Sequence, residues 1–99
     1  MLTMVKLGGS LITDKHVEKR FRRDVMLRLA DEIAFVLEQS SSTRILVGHG
    51  SGSFGHFAAQ KANTVKGVKT KDEWLAFANV AMAASELNYL VCECLQSAG

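Results

Sequence analysis

This sequence predicts an α/β fold in which parallel strands are joined by a crossover helix. Three observations carry that prediction. Leu2 to Leu7 is a mostly apolar, strand-like run that passes straight into Gly8-Gly9-Ser10. A second apolar run, Arg44 to Gly48, passes into His49-Gly50-Ser51-Gly52-Ser53-Phe54-Gly55-His56. Between the two, Asp24 to Gln39 carries Met26, Leu29, Ile33, Phe35, Val36 and Leu37 at helical spacings. A strand–helix–strand succession makes a right-handed parallel crossover in nearly every case. Both glycine turns therefore fall at one edge of the sheet, where open α/β sheets bind ligands.

Each element has its own justification. The apolar character of Leu2 to Leu7 fits a parallel strand covered on both faces. Ser40-Ser41-Ser42 closes the amphipathic helix, and Arg44 to Gly48 reads as a short second strand. Phe54 to Ala62 reads as a short helix, followed by a polar segment, Asn63 to Lys69, too rich in Lys and Gly for a buried strand. Thr70-Lys71-Asp72-Glu73 is a capping box. It opens a long helix, Lys71 to Gln96, with Trp74, Phe77, Ala78, Ala81 and Ala84 on one side and Val80, Leu87, Val91 and Leu95 on another. Two apolar stripes imply two packing partners. Gly99 stands where a helix C-cap glycine belongs, and an α/β succession calls next for a strand. The expectation is the N-terminal part of something longer, or a module completed by a partner.

Composition narrows the function classes. Ninety-nine residues form at most one domain, and a formal charge of +2 argues against nucleic acid as the main partner. The basic stretch Lys15 to Arg23 reads as mostly a solvated face. No uninterrupted apolar run approaches the roughly 20 residues of a membrane span, and the N-terminus lacks a signal-peptide pattern, so the cytoplasm is the expected setting. Cys92 and Cys94, two apart on a helix, point to different sides and read as reduced packing residues, neither a disulfide nor a metal pair.

The chemistry lies in the turns. A glycine-rich turn lets backbone N–H groups approach an anion without interference from Cβ, and a following helix adds its positive end. Two such turns side by side, with Lys6 and His56 attached, suggest phosphoryl transfer. His49 begins the second turn and braces it, and His16 is a surface residue on this reading.

The run Val5-Lys6-Leu7-Gly8-Gly9-Ser10-Leu11-Ile12-Thr13-Asp14-Lys15 resembles the opening of amino acid kinase superfamily proteins, specifically isopentenyl phosphate kinases. Gly52-Ser53-Phe54-Gly55-His56, after His49-Gly50, resembles the signature of those kinases and of the related fosfomycin kinases. The resemblance continues through Gly67-Val68-Lys69-Thr70 and Glu86-Leu87-Asn88. Ser51 departs from it, standing where the family more often has a third glycine.

The resemblance implies the N-terminal part of a three-layer αβα amino acid kinase-like fold, with residues 1–99 as its acceptor-binding portion. It implies transfer of the ATP γ-phosphoryl group to isopentenyl phosphate, with Mg²⁺ bridging the nucleotide phosphates. Lys6 would touch the transferring group, and Gly8, Gly9 and Ser10 would receive its oxygens. Lys15 would reach the nucleotide phosphates. Gly50, Ser51, Gly52 and Gly55 would shape the acceptor-phosphate turn, and His56 would donate a hydrogen bond there. The long helix would contribute to a homodimer, and Ala81, Ala83 and Ala84 would leave room for a short isoprenoid tail. The family's nucleotide-binding half lies beyond residue 99, so the chain alone is expected to show no kinase activity.

Three other readings compete. A kinase for fosfomycin or another small phosphate or phosphonate shares the same head-group turn. A dinucleotide site matches Gly50-x-Gly52-x-x-Gly55, with Asp72 about 20 residues past Gly52, but lacks the apolar strand that should end at that acid. A non-catalytic assembly fragment would use the two-striped helix to pair with another subunit.

Overall fold

The structure, a computed structural model, describes residues 1–62 and 69–99. Its elements run β1 (Leu2–Leu7), α1 (Gly9–Ile12), α2 (Arg23–Gln39), β2 (Arg44–His49), α3 (Gly52–Ala62) and α4 (Lys71–Ala98). The expected strands and helices are all present. The second strand runs one residue further than expected, α3 starts at Gly52 rather than Phe54, and α1 is an added turn of helix directly after the first glycines. The polar segment and the Gly67-Val68 part of the resemblance fall on residues 63–68, outside the described residues.

β1 and β2 pair in parallel, with Leu2 opposite Arg44 and Leu7 opposite His49. Paired residues of a parallel ladder share a face. Val5, Leu7, Val47 and His49 therefore face the helices, while Leu2, Met4, Lys6, Leu46 and Gly48 share the other face. That second face is bare: Leu2, Met4 and Leu46 are 65%, 69% and 54% exposed. Among the described residues the helices cover one face of the sheet, whereas its composition suggests two covered faces.

The core gathers Leu7 from β1, Ile12 from α1, Met26 and Ala30 from α2, Phe54 from α3, and Ala83, Leu87, Val91 and Cys94 from α4. Met26 and Ala30 are one helical turn apart, so the N-terminal half of α2 turns them inward. Phe35, Val36 and Leu37, expected among the apolar residues at helical spacings, are exposed; three consecutive residues spread over about 200° of a helix and cannot all turn inward.

α4 begins with the expected capping box: Glu73 N–H donates to Thr70 Oγ1 and Thr70 N–H donates to Glu73 Oε1, both at 3.2 Å. It ends at Gly99, whose φ of +97° lets its N–H close on the Gln96 carbonyl. The buried stripe is Ala83, Leu87, Val91 and Cys94, while Trp74, Phe77 and Ala81 on the other stripe are exposed. Cys94 is a packing residue, whereas Cys92, expected to be one as well, is exposed; both are free. α4, 28 residues long, contains an 18-residue window of mean hydropathy 1.3 and so has the length and composition of a membrane-crossing helix, although polar residues interrupt it repeatedly. Its buried stripe, and the ion pairs that Glu86 and Glu93 make with Lys19 and Arg23, account for it as the central helix of this α/β unit.

Candidate functional site

The parallel register delivers both glycine turns to one place. Gly50 N–H donates to the Leu7 carbonyl at 3.2 Å, which extends the ladder one residue beyond the strands. The turns then touch backbone to backbone: a Cβ on Gly9 would lie 2.5 Å from Gly52 N, and one on Gly50 would lie 3.2 Å from Gly9 N. Gly52 has φ +50°, a left-handed conformation that L side chains rarely adopt, and a Cβ there would strike the Thr13 hydroxyl.

Beneath the turns lie two fully buried hydroxyl residues, Thr13 and Ser53. Thr13 Oγ1 donates to the Gly9 carbonyl at 2.6 Å and accepts from Ser53 N–H at 3.0 Å. Ser53 Oγ accepts from Arg20 N–H at 3.2 Å, and its carbonyl accepts from Lys19 N–H. These bonds hold a hairpin over residues 14–20, closed by Asp14 N–H donating to the Arg20 carbonyl at 2.9 Å. The basic side chains of this stretch are exposed, as expected of a mostly solvated face, and two of its residues, Lys15 and His16, also wall the site.

Hairpin, first turn and α3 enclose a cleft of about 630 Å³, within the range of roughly 300–1,000 Å³ for small-molecule sites. Ser10 comes from the first turn, Lys15 and His16 from the hairpin, and Ser51, Gly52, Gly55 and His56 from the second turn and α3. Ala59 and Val80 add an apolar wall. His56 is exposed, its ring edge-on to Phe57 at 6.1 Å. Ser51 sits against Gly55, where a Cβ would lie 2.5 Å from the Ser51 Cβ; the absent side chain at Gly55 accommodates the serine in place of the usual third glycine.

The structure brings together Ser10, Lys15, Ser51, Gly52, Gly55 and His56. Gly8, Gly9 and Gly50 form the adjoining backbone rather than the cleft wall. Lys6 does not line the cleft. It stands near the end of β1 on the bare sheet face, paired with Gly48, and among the described residues no side chain pairs with it. His49 braces the second turn through the Gly50 carbonyl at 2.8 Å and also reaches Asn88 of α4 at 3.0 Å. Ala81 and Ala83 line a neighbouring cavity of about 770 Å³, which Ala84 does not.

Sequence reasoning missed Thr13 and Ser53 as structural partners and placed His16 outside the site. The available signal for Thr13 was its position four residues after Gly9, the spacing at which a threonine hydroxyl bonds back to a carbonyl. For His16 there was none, since its place depends on a hairpin held from α3.

Two glycine turns at the carboxyl ends of parallel strands, with Lys15 at their rim, place a cleft where open α/β folds carry their ligand sites. The chain belongs to the amino acid kinase family, whose model matches it over residues 1–99. It is 32% identical to the isopentenyl phosphate kinase of Methanocaldococcus jannaschii, an alignment covering 98% of this chain and 40% of that one. It is 31% identical to the isopentenyl phosphate kinase of Methanothermobacter thermautotrophicus, covering 99% of this chain and 37% of that one. The chain thus spans about 40% of the length of these curated relatives.

Solved structures agree. An isopentenyl phosphate kinase structure superposes with a TM-score of 0.84 at 31% identity, over 100% of this chain and 40% of that one. An isopentenyl phosphate kinase substrate complex gives 0.81 at 26% identity, over 99% and 39%. The product complex of the T. acidophilum isopentenyl phosphate kinase gives 0.84 at 24% identity, over 100% and 40%, a likeness of fold.

Proposed function

We propose that this chain forms the acceptor-phosphate portion of a kinase that transfers the γ-phosphoryl group of ATP to isopentenyl phosphate, yielding isopentenyl diphosphate for isoprenoid synthesis. The observation that carries the reading is the cleft itself, which sets Lys15, His56 and the glycine-turn backbone beside the apolar Ala59 and Val80. A phosphate at the end of a short hydrocarbon matches that division of polarity. The isopentenyl phosphate kinases named above support the choice of acceptor.

The reaction asks little proton chemistry of the protein. A phosphate monoester's second pKa is about 6, so the acceptor is already an oxyanion nucleophile at neutral pH. Catalysis then rests on positioning and on neutralising mutually repelling phosphates. In this reading His56 donates a hydrogen bond to the acceptor phosphate, Lys15 reaches the nucleotide phosphates, and Lys6 meets the transferring group from the end of β1. Mg²⁺ bound to ATP would neutralise charge on the β- and γ-oxygens. Among the described residues no group of three or more His, Cys, Asp or Glu is placed to hold a metal ion.

The nucleotide-binding side belongs, on this proposal, to the part of the relatives that this chain does not span, so the chain alone turns over no ATP. The exposed Trp74–Phe77 pair, edge-on at 5.9 Å, is where we place a homodimer contact, and the cytoplasm is the proposed setting.

Calorimetry of the chain tests the reading. Isopentenyl phosphate should bind more tightly than inorganic phosphate, and His56→Ala should weaken it by about ten-fold, as for one charge-assisted hydrogen bond. Tighter binding of fosfomycin would assign the site to the phosphonate kinases instead. No effect of His56→Ala would remove that residue from the acceptor site.

A further inference from the structure

Three separate pieces of chain supply the polar wall of the cleft: Ser10 of the first turn, Lys15 and His16 of the hairpin, and Ser51, Gly52 and His56 of the second turn. A ligand held by all three needs their separations fixed, because a misplacement of about 1 Å is enough to degrade a phosphate site. Thr13 and Ser53 make the side-chain connections among them, and neither lines the cleft.

Thr13 is fully buried, and its hydroxyl is used at both ends. The O–H donates to the Gly9 carbonyl at 2.6 Å, which ties it to the first turn. The oxygen accepts the Ser53 N–H at 3.0 Å, which ties it to the first turn of α3 and hence to the second glycine turn. From Ser53 the connection runs on to the hairpin, through Arg20 N–H at 3.2 Å and Lys19 N–H at 3.4 Å. Between the turns there is no side-chain spacer, since Gly9 and Gly52 meet as bare backbone. The separation of the two turns is thus set by the Thr13 hydroxyl and by the missing Cβ atoms, and the Ser53 hydroxyl and carbonyl carry the link on to the hairpin.

We propose that Thr13 is a positioning residue, whose hydroxyl fixes the two glycine turns and the hairpin at the separation that a phosphate-bearing ligand requires. The proposal rests on the reading above only for the class of ligand. A valine in its place has almost the same shape but leaves the buried Ser53 N–H without its acceptor and strips the Gly9 carbonyl of one of its two donors, the Thr13 N–H at 3.0 Å remaining, so the second turn moves away to reach water. A serine keeps the hydroxyl.

The test is binding of inorganic phosphate to the full chain, alongside the thermal midpoint of each variant. Thr13→Val should weaken phosphate binding by about ten-fold or more, while Thr13→Ser stays within about three-fold of wild type. Thr13→Cys, with its weak thiol donor, should fall between them and serves where the valine variant fails to fold. Met26→Ala hollows the core at a residue that does not line the cleft and bonds to neither turn through its side chain, so it should lower the thermal midpoint at least as much as Thr13→Val and leave phosphate affinity unchanged. Wild-type affinity in a folded Thr13→Val or Thr13→Cys overturns the proposal. So does an equal loss in Met26→Ala, which would make the effect one of stability alone, and so does a folded wild-type chain that binds no phosphate. A wild type that binds phosphate without preferring isopentenyl phosphate sinks the functional reading and leaves this proposal to stand on Thr13→Val.

Discussion

His49, the last residue of β2, reaches Asn88 in α4 with 3.0 Å between Nε2 and Oδ1, while its Nδ1 lies 2.8 Å from the Gly50 carbonyl. One ring therefore spans from the covered face of the sheet to the long helix and steadies the start of the second glycine turn. It is the side-chain tie between β2 and α4 among the described residues, and its partner Asn88 belongs to the Glu86-Leu87-Asn88 run that marks the family resemblance.

Removing either partner should cost little, because the contact is partly solvated. Asn88→Ala is expected to lower stability by about 0.5–1 kcal/mol in urea denaturation. A double-mutant cycle with His49→Ala should return a coupling of roughly 0.5 kcal/mol or more. A coupling of zero would mean the two residues are neighbours without being partners.

Glycine requirements should differ sharply between two positions only four residues apart. Gly52→Ala combines a φ of +50° with a Cβ that would meet the Thr13 hydroxyl and lie 2.7 Å from the Gly9 carbonyl oxygen. The left-handed backbone alone costs roughly 1–2 kcal/mol, and the clash adds to it. Gly48→Ala meets nothing within 4 Å and lies in an extended strand on the bare face, so it should be neutral or stabilising by about 0.5 kcal/mol. Thermal midpoints of the two variants check the contrast.

The two cysteines should separate by reactivity. Burial pushes the Cys94 thiol above its ordinary value of 9.0, Glu93 adds to the rise, and Arg23 opposes it. Iodoacetamide at about pH 8 should therefore modify exposed Cys92 and spare Cys94 until the chain unfolds, as mass spectrometry would count. The same shift fixes the sign of a pH effect. Above about pH 9 the unfolded thiol ionises before the folded one, the unfolded state binds fewer protons, and stability falls as pH rises. Below that range this group contributes no pH dependence.

Lys19 sits at φ +53° on the hairpin, and its ammonium lies 3.0 Å from Glu86. Both side chains are about half exposed, 47% and 52%, so the pair is worth no more than about 1 kcal/mol. The left-handed backbone costs a comparable amount in a residue with a Cβ. Lys19→Gly should thus leave the urea midpoint close to wild type, while Lys19→Val, β-branched and unpaired, should lose about 2 kcal/mol.

Much of this fold is legible in the sequence because its signals are local. The α4 boundaries follow from Thr70, Glu73 and Gly99, and the position of the site follows from two apolar runs that each end in glycines. Packing against distant residues is less legible. Phe35 and Trp74 look like core residues by spacing, yet they are exposed, because what covers a helix stripe depends on chain that need not be nearby in sequence. His16 reaches the cleft because its hairpin is held to Ser53 by bonds across 33 or more positions, which no local pattern reports. For Lys6 the local pattern gives its distance from the glycines but not its surroundings: the alternation of β1 places it on the sheet face opposite the helices, outside the cleft wall.

The most direct test of the account is a backbone NMR titration of the chain with isopentenyl phosphate, with inorganic phosphate and fosfomycin run in parallel. The account predicts shifts at Ser10, Lys15 and the amides of Gly50 to His56 with all three, and added shifts at Ala59 and Val80 with isopentenyl phosphate alone. Identical shifts for isopentenyl phosphate and inorganic phosphate, or shifts confined to residues away from this cleft, would contradict it.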